Sequence, residues 1–351
     1  PYEAPAARGD KLFRYPPSGE TSQRENLQPA TALSWSIEGA PDITSMSRTI
    51  TSVLEFNAIR FGQVDPTFAS FLPGELYQEV YGRDLYTAAK GAQYLFPEAF
   101  IRSGAEEFLE HQLTAVAPNA EFARVPYPGP GAIQGYLTRE GKGEKTTSVS
   151  DEEGSIIHLA HLYYRMKGGA AWLGCQLNGA TVLERMNRAA DALLDGRLHP
   201  PTGLIKRSHT TDWGDVRMQG GLVPTMADPI GETWTASIYD QAWIYQALRE
   251  LAEMNRAANQ SNTADRFEQT AVQIKDATNR LLWMPDKGYY RIHLHLTPLE
   301  HWFNEDNIIA IGNAVAVYAG LTDDNQNRLI MAALERARVR GGSSKPGLSL
   351  D

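Results

Sequence analysis

From about residue 78 onward, apolar residues recur at three- and four-residue intervals, in stretches that come in pairs joined by short connections. The first pair is predicted at about 83–96 and 98–116, where Ile101, Ala105, Leu109 and Gln112 to Val116 follow one face. A second falls at about 150–168 and 178–195, opened by a Ser-x-x-Glu capping box at Ser150 and Glu153. A third, at about 235–258 and 261–283, has Tyr239, Trp243, Ala247, Leu251 and Met254 on one stripe. Phe267, Ala271, Ile274 and Leu281 form the facing stripe. A fourth, at about 305–320 and 323–338, begins with the apolar run Ile308 to Leu321. That run contains Asn313, is too short to span a bilayer, and is expected to be a buried helix. The pattern is a repeat of helical hairpins, an all-α design.

Outside the pairs the signals are weaker. Residues 1–46 read as an extended leader or linker, with Tyr15-Pro16-Pro17-Ser18-Gly19 and Ala40-Pro41-Asp42 as breakers; 47–351 carries the repeats. Ser47 to Phe61 fits helix by the spacing of Ile50, Leu54 and Ala58, and strand by its β-branched residues. The connections at about 117–149, 196–233 and 284–304 are too long for simple turns and are expected to carry function. Pro128-Gly129-Pro130-Gly131 marks the first of them as turn-rich, without the context of a phosphate-binding loop. If hairpins repeat about an axis, equivalent loops lie at one end of it, and their acidic segments converge there.

Composition narrows the partners. With 351 residues, 42% hydrophobic and 21% charged, the chain is a folded protein of ordinary make-up. A formal net charge of −9 and no basic run argue against nucleic acid as a partner, and no segment reads as a membrane span. Cys175 is the single cysteine, so no intrachain disulfide framework or thiolate metal cluster forms, and a cytoplasmic location is expected. The sequence starts at Pro1 without Met, which leaves a removed signal peptide open.

Candidate chemistry concentrates between Ser208 and Tyr239. Asp212, Asp215, Asp228 and Glu232 lie there among Trp213, Trp234 and several glycines, ahead of a long helix. Carboxylates beside aromatic rings suit a site that binds sugars and moves protons. The same acids also suit helix N-termini, whose free N–H groups and dipole favour negative charge. Capping is the expectation for Asp151, Glu152 and Glu153. Arg83-Asp84 presents opposed hydrogen-bonding forks instead. Tyr81 and Trp302 are further aromatic candidates. Glu305 with Asp306 stands at a helix start where capping and sugar binding are both open, and Asp240, opening the third hairpin, is either a ligand contact or a solvated helix position. Trp243, inside a helix, reads as core.

Eight histidines raise the question of a metal. His293-x-His295 puts two rings on one strand face, yet no third ligand stands at a recognisable spacing. His158 and His161, at i and i+3 on an apolar helix, read as core. No catalytic metal and no cofactor are expected.

The paired helices, the Arg83-Asp84 pair entering the first hairpin, and Gly203-Leu204-Ile205 followed by Thr211-Asp212-Trp213-Gly214-Asp215 resemble the six-hairpin glycosidases. The likeness is closest to glycogen-debranching amylo-α-1,6-glucosidases and the related glucosidase I, trehalase and α-rhamnosidase groups. It extends over about 74–334, continuing through Ile230-Gly231 and Gln241-Ala242-Trp243-Ile244-Tyr245. The resemblance implies an (α/α)6 toroid with a carbohydrate pocket at one end. It implies Asp215 as catalytic acid with Asp212 second, and Arg83 and Asp84 holding the hydroxyls of the sugar. Tyr81, Trp213, Glu232, Trp234, Asp240, Trp302 and Glu305 complete the expected substrate-binding set. Four hairpins are legible where the family has six, so the toroid is expected to be incomplete at its C-terminus, with the base Glu outside this chain.

Inverting hydrolysis needs one carboxylic acid to protonate the leaving oxygen and a carboxylate opposite, about 6.5–9.5 Å away, to activate water. Asp215 beside Trp213 is placed for the acid role if its surroundings are dry. Two other classes remain open: a noncatalytic carbohydrate-binding toroid, and a sugar isomerase or lyase on the same fold.

Overall fold

Helix α1 (Pro41–Asn57) begins inside the stretch expected to be a leader. Pro41 occupies its first position, where the missing N–H is no loss and the fixed φ suits a helix, so the breaker is a start signal. The computed structural model describes residues 41–60, 69–74, 77, 79–114, 129–138, 143, 149–209, 234–298 and 304–341, with backbone alone at 41–48, 59 and 60. The segment left open between helix and strand is helix to Asn57 and then strand β1 (Ala58–Arg60), paired antiparallel with β2 (Ala69–Phe71).

The chain divides into two compact units. Of the described residues, the first holds those up to Gln112, those between Ile133 and Lys145, and Ser155–Arg185; the second holds those between Leu113 and Ala132, those between Thr146 and Gly154, and those from Met186 onward.

In the first unit, β3 (Val80–Tyr81) runs directly into α2 (Gly82–Ala92), followed by α3 (Ala99–Glu110). Leu85 and Ala89 of α2 and Ile101, Ala105, Phe108 and Leu109 of α3 are buried, as their spacing requires. Strand β4 (Tyr136–Leu137) closes a two-stranded ribbon with β3. Helix α4 (Glu152–Tyr163) loosens into a π turn at Tyr164–Gly168 and ends with the short α5 (Gly169–Leu173). His158 is buried and stacked on Tyr86 at 5.2 Å between ring centroids. Strands β5 (Gln176–Leu177) and β6 (Ala180–Thr181) form a hairpin around Asn178-Gly179. Both residues have positive φ, as a right-twisted two-residue hairpin requires. Helix α6 (Val182–Arg197) follows.

In the second unit, β7 (Leu198–His199) pairs with β8 (Leu204–Ile205), and β9 (Arg207–Ser208) pairs with β10 (Trp234–Ser237). The Ser237 hydroxyl caps α7 (Ile238–Ala257) by accepting from the Tyr239 N–H at 3.1 Å. Helix α8 (Ser261–Leu281) packs along α7, and Phe267, Ala271 and Ile274 of α8 and Ala247, Leu248 and Leu251 of α7 are buried. Each large side chain so buried contributes about 1.5–3 kcal/mol. Trp243 is core, as expected, and stacks on Tyr239.

A ribbon of β11 (Trp283–Met284) and β12 (Tyr289–Tyr290) leads to β13 (His293–His295), which pairs with the other edge of β10. A 3₁₀ turn at Glu305–Asn307 precedes α9 (Ile311–Tyr318) and α10 (Asp324–Arg340).

The run Ile308 to Leu321 departs from expectation. Only its middle is helical, and Ile311 and Tyr318 are more than half exposed. The inward face is instead Gly312, Asn313 and Ala316. The Asn313 amide accepts from the Tyr290 N–H at 2.8 Å and donates to its carbonyl at 2.9 Å, standing in for a strand neighbour of β12. The polar residue within the apolar run is thus fully buried while Ile311 and Tyr318 face outward. Among the described residues, no helix is long and apolar enough to cross a membrane.

Candidate functional site

The three-stranded sheet β9–β10–β13 organises the second unit's chemistry. Its register sets Thr235 opposite both Arg207 and His295, and Ser237 opposite His293. Side chains alternate faces along a strand, so Arg207, Thr235, Ser237, His293 and His295 share one face; His209, two residues after Arg207, continues it. Three imidazoles thus reach the same side from two strands that are not neighbours in sequence.

Glu305 meets them. Its Oε1 lies 2.6 Å from His209 Nε2 and 3.4 Å from His293 Nδ1, and its Oε2 lies 2.8 Å from His295 Nε2. His209, His293 and Glu305 are buried, whereas the His295 side chain keeps 27% of its surface exposed. The turn carrying Glu305 is held in place from the β12 side. Lys287 donates to the Asp306 carbonyl at 2.6 Å and to Asn307 at 3.0 Å, and the Tyr289 hydroxyl donates to the same carbonyl at 3.0 Å. Arg291 pairs with the Asp306 carboxylate at 3.3 Å.

Burial alone would push the Glu305 carboxyl up, but hydrogen bonds from His209, His293 and His295 together outweigh it and hold the group far below the usual carboxylate range. His209 is displaced downward, chiefly because burial disfavours an imidazolium, with Glu305 opposing. An ionised carboxylate is therefore set among neighbours of which His209 resists protonation.

A second network sits at the start of α7. Asp240 is fully buried, paired with Arg207 at 3.1 Å, and accepts from the Ser150 hydroxyl at 2.8 Å. Burial raises its carboxyl despite Arg207, and nearby Asp151 pushes in the same direction. Gln241 brackets Ile205, accepting from its N–H and donating to its carbonyl, both at 2.8 Å. Asp240 and Gln241 thus bind α7 to β8 and β9, and neither is solvated.

Trp234 is half-buried with two cations over its ring, Lys206 at 5.0 Å and Arg197 at 5.3 Å. A sugar stacking on this ring would share it with them.

In the first unit, Tyr81 ends β3 and stands between Tyr77 and Tyr136, with centroids 5.6 and 5.4 Å away. Arg83 and Asp84 follow in the first turn of α2, both half-buried. An aromatic row thus ends next to Arg83 and Asp84. Asp212, Trp213, Asp215, Glu232 and Trp302 lie outside the described residues.

The bacterial α-L-rhamnosidase six-hairpin glycosidase domain matches residues 89–341. The chain belongs to this family. Its fold class is accordingly the all-α, (α/α)6 one of the six-hairpin glycosidases, as the helical pairs imply. A rhamnosidase from Klebsiella oxytoca with rhamnose bound superposes with a TM-score of 0.58 at 14% identity, over 89% of this chain and 50% of that one. A GH63 mannosylglycerate hydrolase from Thermus thermophilus, in complex with glucose, superposes with 0.54 at 12% identity, over 84% and 76%. A GH78 rhamnosidase of Bacillus sp. GL1 superposes with 0.50 at 14% identity, over 79% and 24%. This six-hairpin domain spans about half the length of the Klebsiella rhamnosidase. No curated protein sequence matches it.

Sequence motifs single out Glu305 and His293-x-His295 separately, without joining them to each other or to His209. The pair His293 and His295 is visible as a strand face. Its partners are remote or irregularly placed: His209 stands 96 residues before Glu305, and Glu305 stands 10 residues after His295, separations that follow no ligand-spacing rule.

Proposed function

We propose that this six-hairpin domain belongs to a glycoside hydrolase that cleaves an α-linked glycoside with inversion. The observation that carries the reading is the family match over residues 89–341. Within the clan that match, and the rhamnose held by the Klebsiella relative, favour an α-L-rhamnoside over the glucosides that the debranching motifs suggest. The substrate is a carbohydrate. Asp215 is the acid by its place in Thr211-Asp212-Trp213-Gly214-Asp215, and Asp212 is the second candidate. Arg83 and Asp84, beside the tyrosine row at Tyr81, are assigned to the sugar hydroxyls. Trp213, Glu232, Trp234, Asp240, Trp302 and Glu305 remain in the proposed binding set. The buried ion pair of Asp240 favours a bracing role for it.

The acid would protonate the glycosidic oxygen while a carboxylate across the ring activates water. The test presents the full-length enzyme with 4-nitrophenyl α-L-rhamnoside, α-D-glucoside and α-D-mannoside, with the released sugar followed by proton NMR. Turnover is expected with the rhamnoside, the first-formed anomer being inverted. Sugar binding without turnover on any of the three would favour a noncatalytic carbohydrate-binding module.

A further inference from the structure

We propose that His209, His295 and Glu305 form a binding site for a divalent transition metal, with zinc the best chemical match. One donor atom from each lies within 4.8 Å of the others. The two oxygens of Glu305 divide between the rings, Oε1 at 2.6 Å from His209 Nε2 and Oε2 at 2.8 Å from His295 Nε2. Around zinc, with ligand bonds of about 2.0–2.2 Å, neighbouring donors in a tetrahedron stand roughly 3.3 Å apart. To admit the ion, the two imidazole–carboxylate contacts would open by about 0.7 and 0.5 Å.

The donor set selects the kind of cation. Calcium and magnesium take oxygen ligands, whereas two imidazoles and one carboxylate suit zinc and its first-row neighbours. Three protein ligands leave one position open, and His295, with 27% of its side chain exposed, is the ligand of the three that reaches solvent. On the buried side, His293 holds its Nδ1 3.4 Å from Glu305 Oε1, where it orients the carboxylate from behind.

The site is also built to keep its shape. The strands on either side of β10 carry the imidazoles, and Lys287, Tyr289 and Arg291 fix the turn that carries Glu305. A carboxylate among imidazoles could instead be a closed hydrogen-bonded cluster that binds nothing. The two arrangements differ in whether the Nε2 atoms of His209 and His295 carry protons or lone pairs toward Glu305.

The experiment is metal uptake by the whole chain, stripped with chelator and then equilibrated separately with zinc chloride and cobalt chloride. One zinc per chain is expected, along with a higher melting temperature and the visible bands of four-coordinate cobalt. H295Q and E305Q should each weaken uptake at least tenfold. Because a buried substitution can disturb folding, X-ray absorption of the zinc-loaded wild-type protein provides a readout without mutation and should show two imidazoles. Absence of stoichiometric uptake, uptake unchanged in both variants, or a zinc shell without imidazole would each overturn the proposal. Uptake requires no turnover, so its outcome is separate from that of the glycosidase assay.

Discussion

Asp240 shows how far a residue's neighbours decide its role. Its place at a helix start allows a ligand contact or a solvated position, and the fold instead encloses it with Arg207. Removing one partner of a buried ion pair strands the other charge, at a cost of about 3–5 kcal/mol. Urea unfolding of Asp240→Ala should show a loss of that size, and unchanged stability would contradict the pairing. The pH dependence has a defined sign. Burial raises the Asp240 carboxyl above its ordinary value despite Arg207, so the folded state holds the proton more tightly than the unfolded state. Its contribution to stability is therefore greatest below about pH 3.9 and declines as pH rises from there toward the folded value. Asp240→Asn should remove that decline from the stability curve. At this scale the sequence is legible in kind and not in partner. Glu305 and His293-x-His295 stand out singly, but strand β10 brings His209 to them, and no local spacing encodes that step.

At the scale of elements, helices are legible wherever one apolar stripe meets another. Helices α7 and α8 follow the expected stripes closely, and α2, α3, α6 and α10 fall within their predicted stretches to within a few residues. Two-residue strands such as β3, β9 and β12 are too short for an alternation to register. The run at α9 misleads because apolar composition does not by itself fix which face is buried, and the hydrogen-bonding demand of β12 turns Asn313 inward. Gly131 gives a sharper case. Its φ is +94°, and a Cβ there would stand 2.8 Å from the backbone carbonyl oxygen of Arg188 in α6. Gly131→Ala combines a left-handed conformation with a backbone clash, and a loss of about 1–3 kcal/mol is expected in thermal or urea unfolding. A neutral or stabilising effect would place this connection elsewhere.

For the molecule as a whole, order and spacing of short motifs carry more than any single motif. The Thr211 to Asp215 segment and the helical pairs are sufficient to indicate the six-hairpin class, and the family match over residues 89–341 establishes it. The choice of sugar is not legible, because stacking rings and paired carboxylates serve many glycosides alike. The central claim is that Asp215 protonates the leaving oxygen. General acid catalysis contributes about 10²–10⁴-fold. The most direct test compares kcat of Asp215→Asn with that of the wild type in the full-length enzyme, on an alkyl or disaccharide α-L-rhamnoside whose leaving oxygen needs a proton, alongside circular dichroism and sugar affinity. A fall in kcat of that size with fold and affinity retained is the predicted result; kcat within a few-fold of the wild type would contradict the account.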